Sequence, residues 1–158
     1  MNIYDSHRMA DALTPLGYRQ IEDSENADLI ILNTCNIRHK ATEKLYSELG
    51  RLETYKKSRG ERGIKTSIVV AGCVGQAEGK EVLQRAPCVD IVVGPQTYHR
   101  LPDMVTRLLS GGESRNKGLG MIDIEFPAEP KFDHLPRIKT SGYSGFLTIQ
   151  EGCDKFCT

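Results

Sequence analysis

The feature that most constrains this chain is a regular alternation of two kinds of segment. Short apolar runs occupy residues 27–33, 67–71 and 89–93, and longer amphipathic stretches separate them. Ala27-Asp28-Leu29-Ile30-Ile31-Leu32-Asn33 is compact and bounded by polar residues, so it reads as a strand buried on both faces. Ser67-Ile68-Val69-Val70-Ala71 repeats the pattern, and Val89 to Val93 repeats it again before Gly94-Pro95. Between the first two runs, Ala41, Leu45, Leu49, Leu52 and Tyr55 recur at helical spacing. Glu43, Lys44, Glu48, Arg51 and Lys56 cover the other side, which predicts a helix over 41–58. A second helix is expected from Gln76 to Ala86, stopped by Pro87, and a third from Gln96 to Ser110, ended by Gly111-Gly112. Strands that alternate with connections of crossover length specify an α/β fold, an open parallel sheet with helices on both faces.

The segments outside this core are less regular. Asp5 to Leu16 predicts a helix, with Met9, Leu13 and Leu16 on one face and Gly17 as its stop. Tyr18 to Glu22 can form a short strand, Asp23 to Asn26 a turn, and Ser58 to Gly63 a charged loop. A doubly wound sheet normally opens on a strand, and in the flavodoxin-like order that strand is central. Here a helix comes first, so either it packs without a strand partner or the first strand is missing from the chain. After Gly111 the pattern fades. Residues 112–142 carry Pro127, Pro130 and Pro136 and read as an interdomain linker, with an isolated strand expected from Met121 to Phe126. Gly145 to Gln150 reads as the first strand of a second domain. The expected division is therefore 1–111, 112–142 and 143–158.

Composition narrows the function classes. The chain has 158 residues, 39% hydrophobic and 27% charged, which suits a packed globular domain and not a disordered segment. With 21 basic and 21 acidic residues, bulk charge gives no support for nucleic-acid binding by this piece alone. No stretch is apolar and long enough to cross a membrane. Met1-Asn2-Ile3-Tyr4-Asp5 has neither the basic nor the apolar region of a signal peptide, so a cytoplasmic location is expected. In that compartment five cysteines point to metal or thiol chemistry rather than a disulfide framework.

Cys35 and Cys73 each come directly after a predicted strand. In open parallel sheets ligands gather outside the carboxyl ends of the strands, so both thiols should emerge on one rim. They would also lie near helix amino termini, which favour the thiolate. The other reading is that each is a small apolar filler in a tight turn. Two thiols alone cannot complete a cluster site. Cys153 and Cys157 have three residues between them at the exit of a strand, a spacing that suits zinc or an iron–sulfur cluster. Cys88 precedes a strand, at the opposite edge from Cys35 and Cys73, and reads as structural.

Four motifs in order carry a resemblance that covers essentially the whole chain. They are Met1-Asn2-Ile3-Tyr4-Asp5-Ser6, Asn33-Thr34-Cys35-Asn36-Ile37-Arg38, Ala71-Gly72-Cys73-Val74-Gly75-Gln76 and Gly152-Cys153-Asp154-Lys155-Phe156-Cys157-Thr158. Together they resemble the amino-terminal part of the radical S-adenosylmethionine methylthiotransferase family. The words Asn36-Ile37-Arg38 and Lys44-Leu45-Tyr46-Ser47-Glu48-Leu49-Gly50-Arg51 are similar to its branch acting on dimethylallyladenosine in tRNA, where the threonylcarbamoyladenosine-modifying and ribosomal-protein-modifying branches usually carry other residues; modification of a ribosomal protein is the alternative inside the family.

The resemblance implies a flavodoxin-like domain, a linker and the first strand of a radical S-adenosylmethionine barrel. It implies two 4Fe-4S clusters. Cys35 and Cys73 would hold an auxiliary cluster, and Cys153 and Cys157 the radical cluster that also binds S-adenosylmethionine. The remaining ligand of each is expected outside this chain, one in a Gly-Cys-Gln before Met1 and one just beyond Thr158, so the chain alone is expected to be inactive. The implied reaction adds a methylthio group to carbon 2 of N6-dimethylallyladenosine near the tRNA anticodon. A 5'-deoxyadenosyl radical would abstract the hydrogen, and a protein electron donor would reduce the cluster. The implied partners are tRNA and that donor, acting on a monomer without a membrane. Two alternatives come from other classes: a non-catalytic zinc- or thiol-binding α/β domain, and a flavin-type ligand module. The loops holding Cys35 and Cys73 lack the glycine–serine character a phosphate would want. Tyr98, His99 and Arg100 are expected to serve surface or packing roles.

Overall fold

The fold is described from a computed structural model, for residues 2–35, 39–111, 120–126 and 135. Four strands, β1 (Leu29–Asn33), β2 (Ser67–Ala71), β3 (Ile91–Val93) and β4 (Met121–Asp123), form one sheet in that spatial order. Every pair is parallel, with Ile30 opposite Ile68, Val70 opposite Val92 and Val92 opposite Ile122. Helices α1 (Asn2–Leu13), α2 (His39–Glu61), α3 (Cys73–Arg85) and α4 (Leu101–Leu109) cover both faces. This is the α/β sheet that the alternation of segments predicts.

Strand periodicity of two decides which helix meets which residue. Ile30, Ile68, Val70 and Val92 point to the face covered by Leu45, Leu49 and Leu52 of α2 and by Val74, Val82 and Leu83 of α3. Val69, Ala71, Ile91 and Val93 point to the other face, against Met9 and Leu13 of α1 and Leu101, Met104, Val105 and Leu108 of α4. Each fully buried leucine or valine contributes roughly 1.5–3 kcal/mol, so both layers are needed.

Several expectations are corrected. Residues 18–22 form no strand. Residues 58–61 are the last turn of α2 rather than a loop, because the Arg59 guanidinium is buried against the chain entering β1. Leu16 is exposed, in a 3₁₀ turn (Thr14–Leu16) that follows α1 and ends at Gly17, whose φ is +87°. The helix expected over 96–110 is split into a 3₁₀ segment (Pro95–Arg100) and α4. The expected helix at Gln76 begins earlier, at Cys73. β1 is not buried on both faces: only Ile30 is buried, because among the described residues β1 lies at the edge of the sheet. The strand after Met121 is not isolated but pairs with β3. Helix α1 packs on the sheet with no strand before it among the described residues.

Two clamps close the amino ends of the strands. Arg59 donates from Nη1 to the carbonyls of Ala27 (3.1 Å) and Glu25 (3.3 Å), and from Nη2 to Asp28 (2.7 Å). Asp90 accepts the Ile68 amide (2.8 Å) and pairs with Lys56, whose Nζ also donates to the Cys88 carbonyl (2.8 Å). On the outer surface Tyr46 donates to Glu78 (2.9 Å), and Arg85 stacks on its ring. Burial and then that hydrogen bond push the Tyr46 hydroxyl up to about 12.

Candidate thiol site at the carboxyl ends of the strands

Residues Asn33 and Ala71 end β1 and β2 in register, and the loops beyond them stay together. The Thr34 amide donates to the Ala71 carbonyl (3.0 Å), and the Val74 amide donates to the Thr34 carbonyl (3.2 Å). Cys35 follows Thr34, and Cys73 follows Gly72 as the first residue of α3. The backbone carrying one cysteine is thus hydrogen-bonded to the backbone carrying the other. Cys35 is half-buried and Cys73 exposed, so both thiols are open to a ligand.

Two glycines permit this approach. Gly72 has φ +91°, a region L side chains rarely adopt, and a Cβ there would lie 2.6 Å from both the Thr34 carbonyl oxygen and Asn33 Oδ1. A Cβ on Gly75 would lie 2.8 Å from the Val93 carbonyl oxygen, so its absence lets the first turn of α3 rest on the sheet.

Other side chains fix the rim. Asn33 Nδ2 donates to Ser6 Oγ (3.1 Å), which brings the first turns of α1 to the tip of β1. Gln76, one turn after Cys73, donates to the Ile124 carbonyl (2.7 Å) just beyond β4. Thr97 donates to the Asp123 carbonyl (2.8 Å), and Arg100 pairs with Asp123 (3.2 Å) and Glu125 (3.0 Å). Tyr98 is fully buried beneath this edge. The quoted motifs contain Asn33, Gly72, Ser6 and Gln76 as well as Cys35 and Cys73, but the sequence assigns a role only to the two cysteines.

Cys88 stands apart. It is buried, its thiol lies 3.7 Å from the Leu49 carbonyl oxygen, and burial pushes its pKa up. Its structural reading is supported by this placement. Cys153 and Cys157 lie outside the described residues.

The donor chemistry of the rim fits a soft metal or an iron–sulfur cluster as a partial set. Cys35 and Cys73 are thiols on adjoining loops, but no group of three or more His, Cys, Asp or Glu gathers among the described residues. An apolar groove of about 260 Å³ runs elsewhere, between α1, residues 18–24 and the outer side of β1, and neither cysteine lines it. Among the described residues no helix is long and apolar enough to cross a membrane.

Comparison with known proteins gives two findings. Residues 1–94 match the model of the family described as "Uncharacterized protein family UPF0004". The whole chain is 56% identical, over 163 aligned residues, to the "tRNA-2-methylthio-N(6)-dimethylallyladenosine synthase" of Agrobacterium fabrum. The chain spans about a third (34%) of the length of that curated relative.

Proposed function

From the premise that the chain belongs to the UPF0004 family, we propose that it is the auxiliary-cluster part of a tRNA methylthiotransferase. The whole enzyme would methylthiolate carbon 2 of N6-dimethylallyladenosine near the anticodon. The observation that carries this reading is the direct hydrogen bonding between the loops of Cys35 and Cys73. Its substrate class rests on the 56% identity to a protein named for that product.

In this reading Cys35 and Cys73 are two ligands of a 4Fe-4S cluster, which when bound supplies an iron without a protein ligand where sulfur can be carried. The remaining ligand comes from chain preceding Met1. The hydrogen bond from Asn33 to Ser6 supports that source, since it holds the start of α1 at the same rim. Cys153 and Cys157 belong to the second, radical cluster, which binds S-adenosylmethionine and takes its last ligand from beyond Thr158. The division into 1–111, 112–142 and 143–158 is retained, with β4 supplied to the sheet from within the connecting stretch. The enzyme works in the cytoplasm as a monomer, with tRNA and a protein electron donor as partners. Residues 1–158 alone are inactive.

Anaerobic reconstitution followed by iron and sulfide analysis tests this. Cys35→Ser and Cys73→Ser should each lower the iron retained, while Cys88→Ser should not. Equal iron in all three variants, zinc retained in place of iron, or a full pair of stable 4Fe-4S clusters on these residues alone would overturn it.

A further inference from the structure

The side chain of Asn33 joins two distant segments to the strand that carries it. It is the last residue of β1, so its own backbone leads into Thr34 and Cys35. Its Nδ2 donates to Ser6, 27 positions earlier in the chain. Its Oδ1 occupies the space beside Gly72 where a Cβ would lie only 2.6 Å away, so the carboxamide is packed on the backbone that launches Cys73. Both ends of this short polar group are thus engaged, one by α1 and one by the turn into α3. A hydrophobic residue of the same size could fill the space but could not hold Ser6.

We propose that Asn33 is the positioning residue of the thiol site, setting the relation of the Cys35 loop to the Cys73 loop and tying both to the start of α1. This rests on the reading that the two thiols share one ligand. Groups that orient first ligands typically change metal affinity about ten- to a hundred-fold when removed, so the effect should be visible without any catalytic assay.

The probe is phenylarsine oxide, a trivalent arsenical that bonds two neighbouring thiols and releases water. It is titrated against the full chain carrying Cys153→Ser and Cys157→Ser, with binding followed by intact mass and mapped by digestion. The parent should take up one equivalent on Cys35 and Cys73. Asn33→Ala should weaken capture about ten- to a hundred-fold. Ser6→Ala should weaken it less, and adding Ser6→Ala to Asn33→Ala should cost nothing further, because the two act through one contact. Arg59→Met, at the far end of the strands, should leave capture unchanged.

Unaltered capture by folded Asn33→Ala overturns the proposal, as does an equal loss in Arg59→Met, which would mean general loosening. If Asn33→Ala does not fold, Ser6→Ala decides, because Ser6 is exposed. Unchanged capture in it overturns the proposal. Failure of the parent to capture the arsenical on this pair would instead overturn the shared-ligand reading itself.

Discussion

The two ends of the sheet solve different problems with the same residue type. At the amino ends of the strands, Cys88 is buried, and the neighbouring chain is held by Arg59, Lys56 and Asp90 through charged hydrogen bonds. At the carboxyl ends, Cys35 and Cys73 face outward, and their loops are held mainly by backbone bonds and by the missing side chain of Gly72. A cysteine closed in by long side chains is a packing element. A cysteine on a junction held by backbone bonds and the short Asn33 side chain keeps its sulfur exposed. The difference teaches that the exposure of each thiol here follows the end of the strand it occupies.

The strongest challenge to this contrast is Gly72→Ala. The new Cβ must move a backbone carbonyl from 2.6 Å in an already left-handed conformation. A loss of about 3 kcal/mol in urea unfolding is expected, together with weakened arsenical capture. A neutral result would mean that the junction of the two loops is loose.

Arg59→Met probes the other end. It leaves the Ala27 carbonyl without its Arg59 donor and the Glu25 carbonyl to the Tyr55 hydroxyl alone, and a loss of about 2 kcal/mol is expected. Little of this comes from Asp28, which is 70% exposed and screened by solvent. Alkylation rates of Cys35 and Cys73 should not change in the folded variant. If they rise, the ends are coupled and the contrast fails.

The smallest effect sharpens the comparison by pH. Burial, followed by the Glu53 carboxylate, raises the Cys88 thiol above its ordinary 9.0. The unfolded thiol ionises first, so the unfolded state binds fewer protons above that value. The stability contribution is therefore complete below pH 9.0 and declines as pH rises past it. Urea midpoints measured between pH 9.0 and 10.0, where the tyrosines contribute the same slope to both proteins, should fall in the parent and fall less in Cys88→Ala. Equal slopes would mean that the Cys88 thiol is as open as Cys73.

The sequence made the strand–helix rhythm plain because Leu29–Asn33, Ser67–Ala71 and the leucines of α2 follow periodicities set by the backbone itself. It also made the shared rim of Cys35 and Cys73 readable, since parallel order sends every strand's carboxyl end the same way. What it hid depends on partners distant in the chain. Leu29–Asn33 is as apolar as a central strand, and nothing in its residues counts its neighbours. Arg59 sits in a charged stretch that looks solvated until its guanidinium meets Ala27 and Asp28. Cys73 enters α3 only because Gly72 turns the chain in a way that a glycine before a cysteine does not announce.

Being outermost gives β1 one further property. Among the described residues, the amides and carbonyls from Leu29 to Asn33 have ladder partners on one flank only, and none of those five residues carries a charge. Such a border is a template for any extended peptide of matching pattern. Self-association through this edge is expected to rise with protein concentration and to fall in Ile31→Lys, which sedimentation at two concentrations checks.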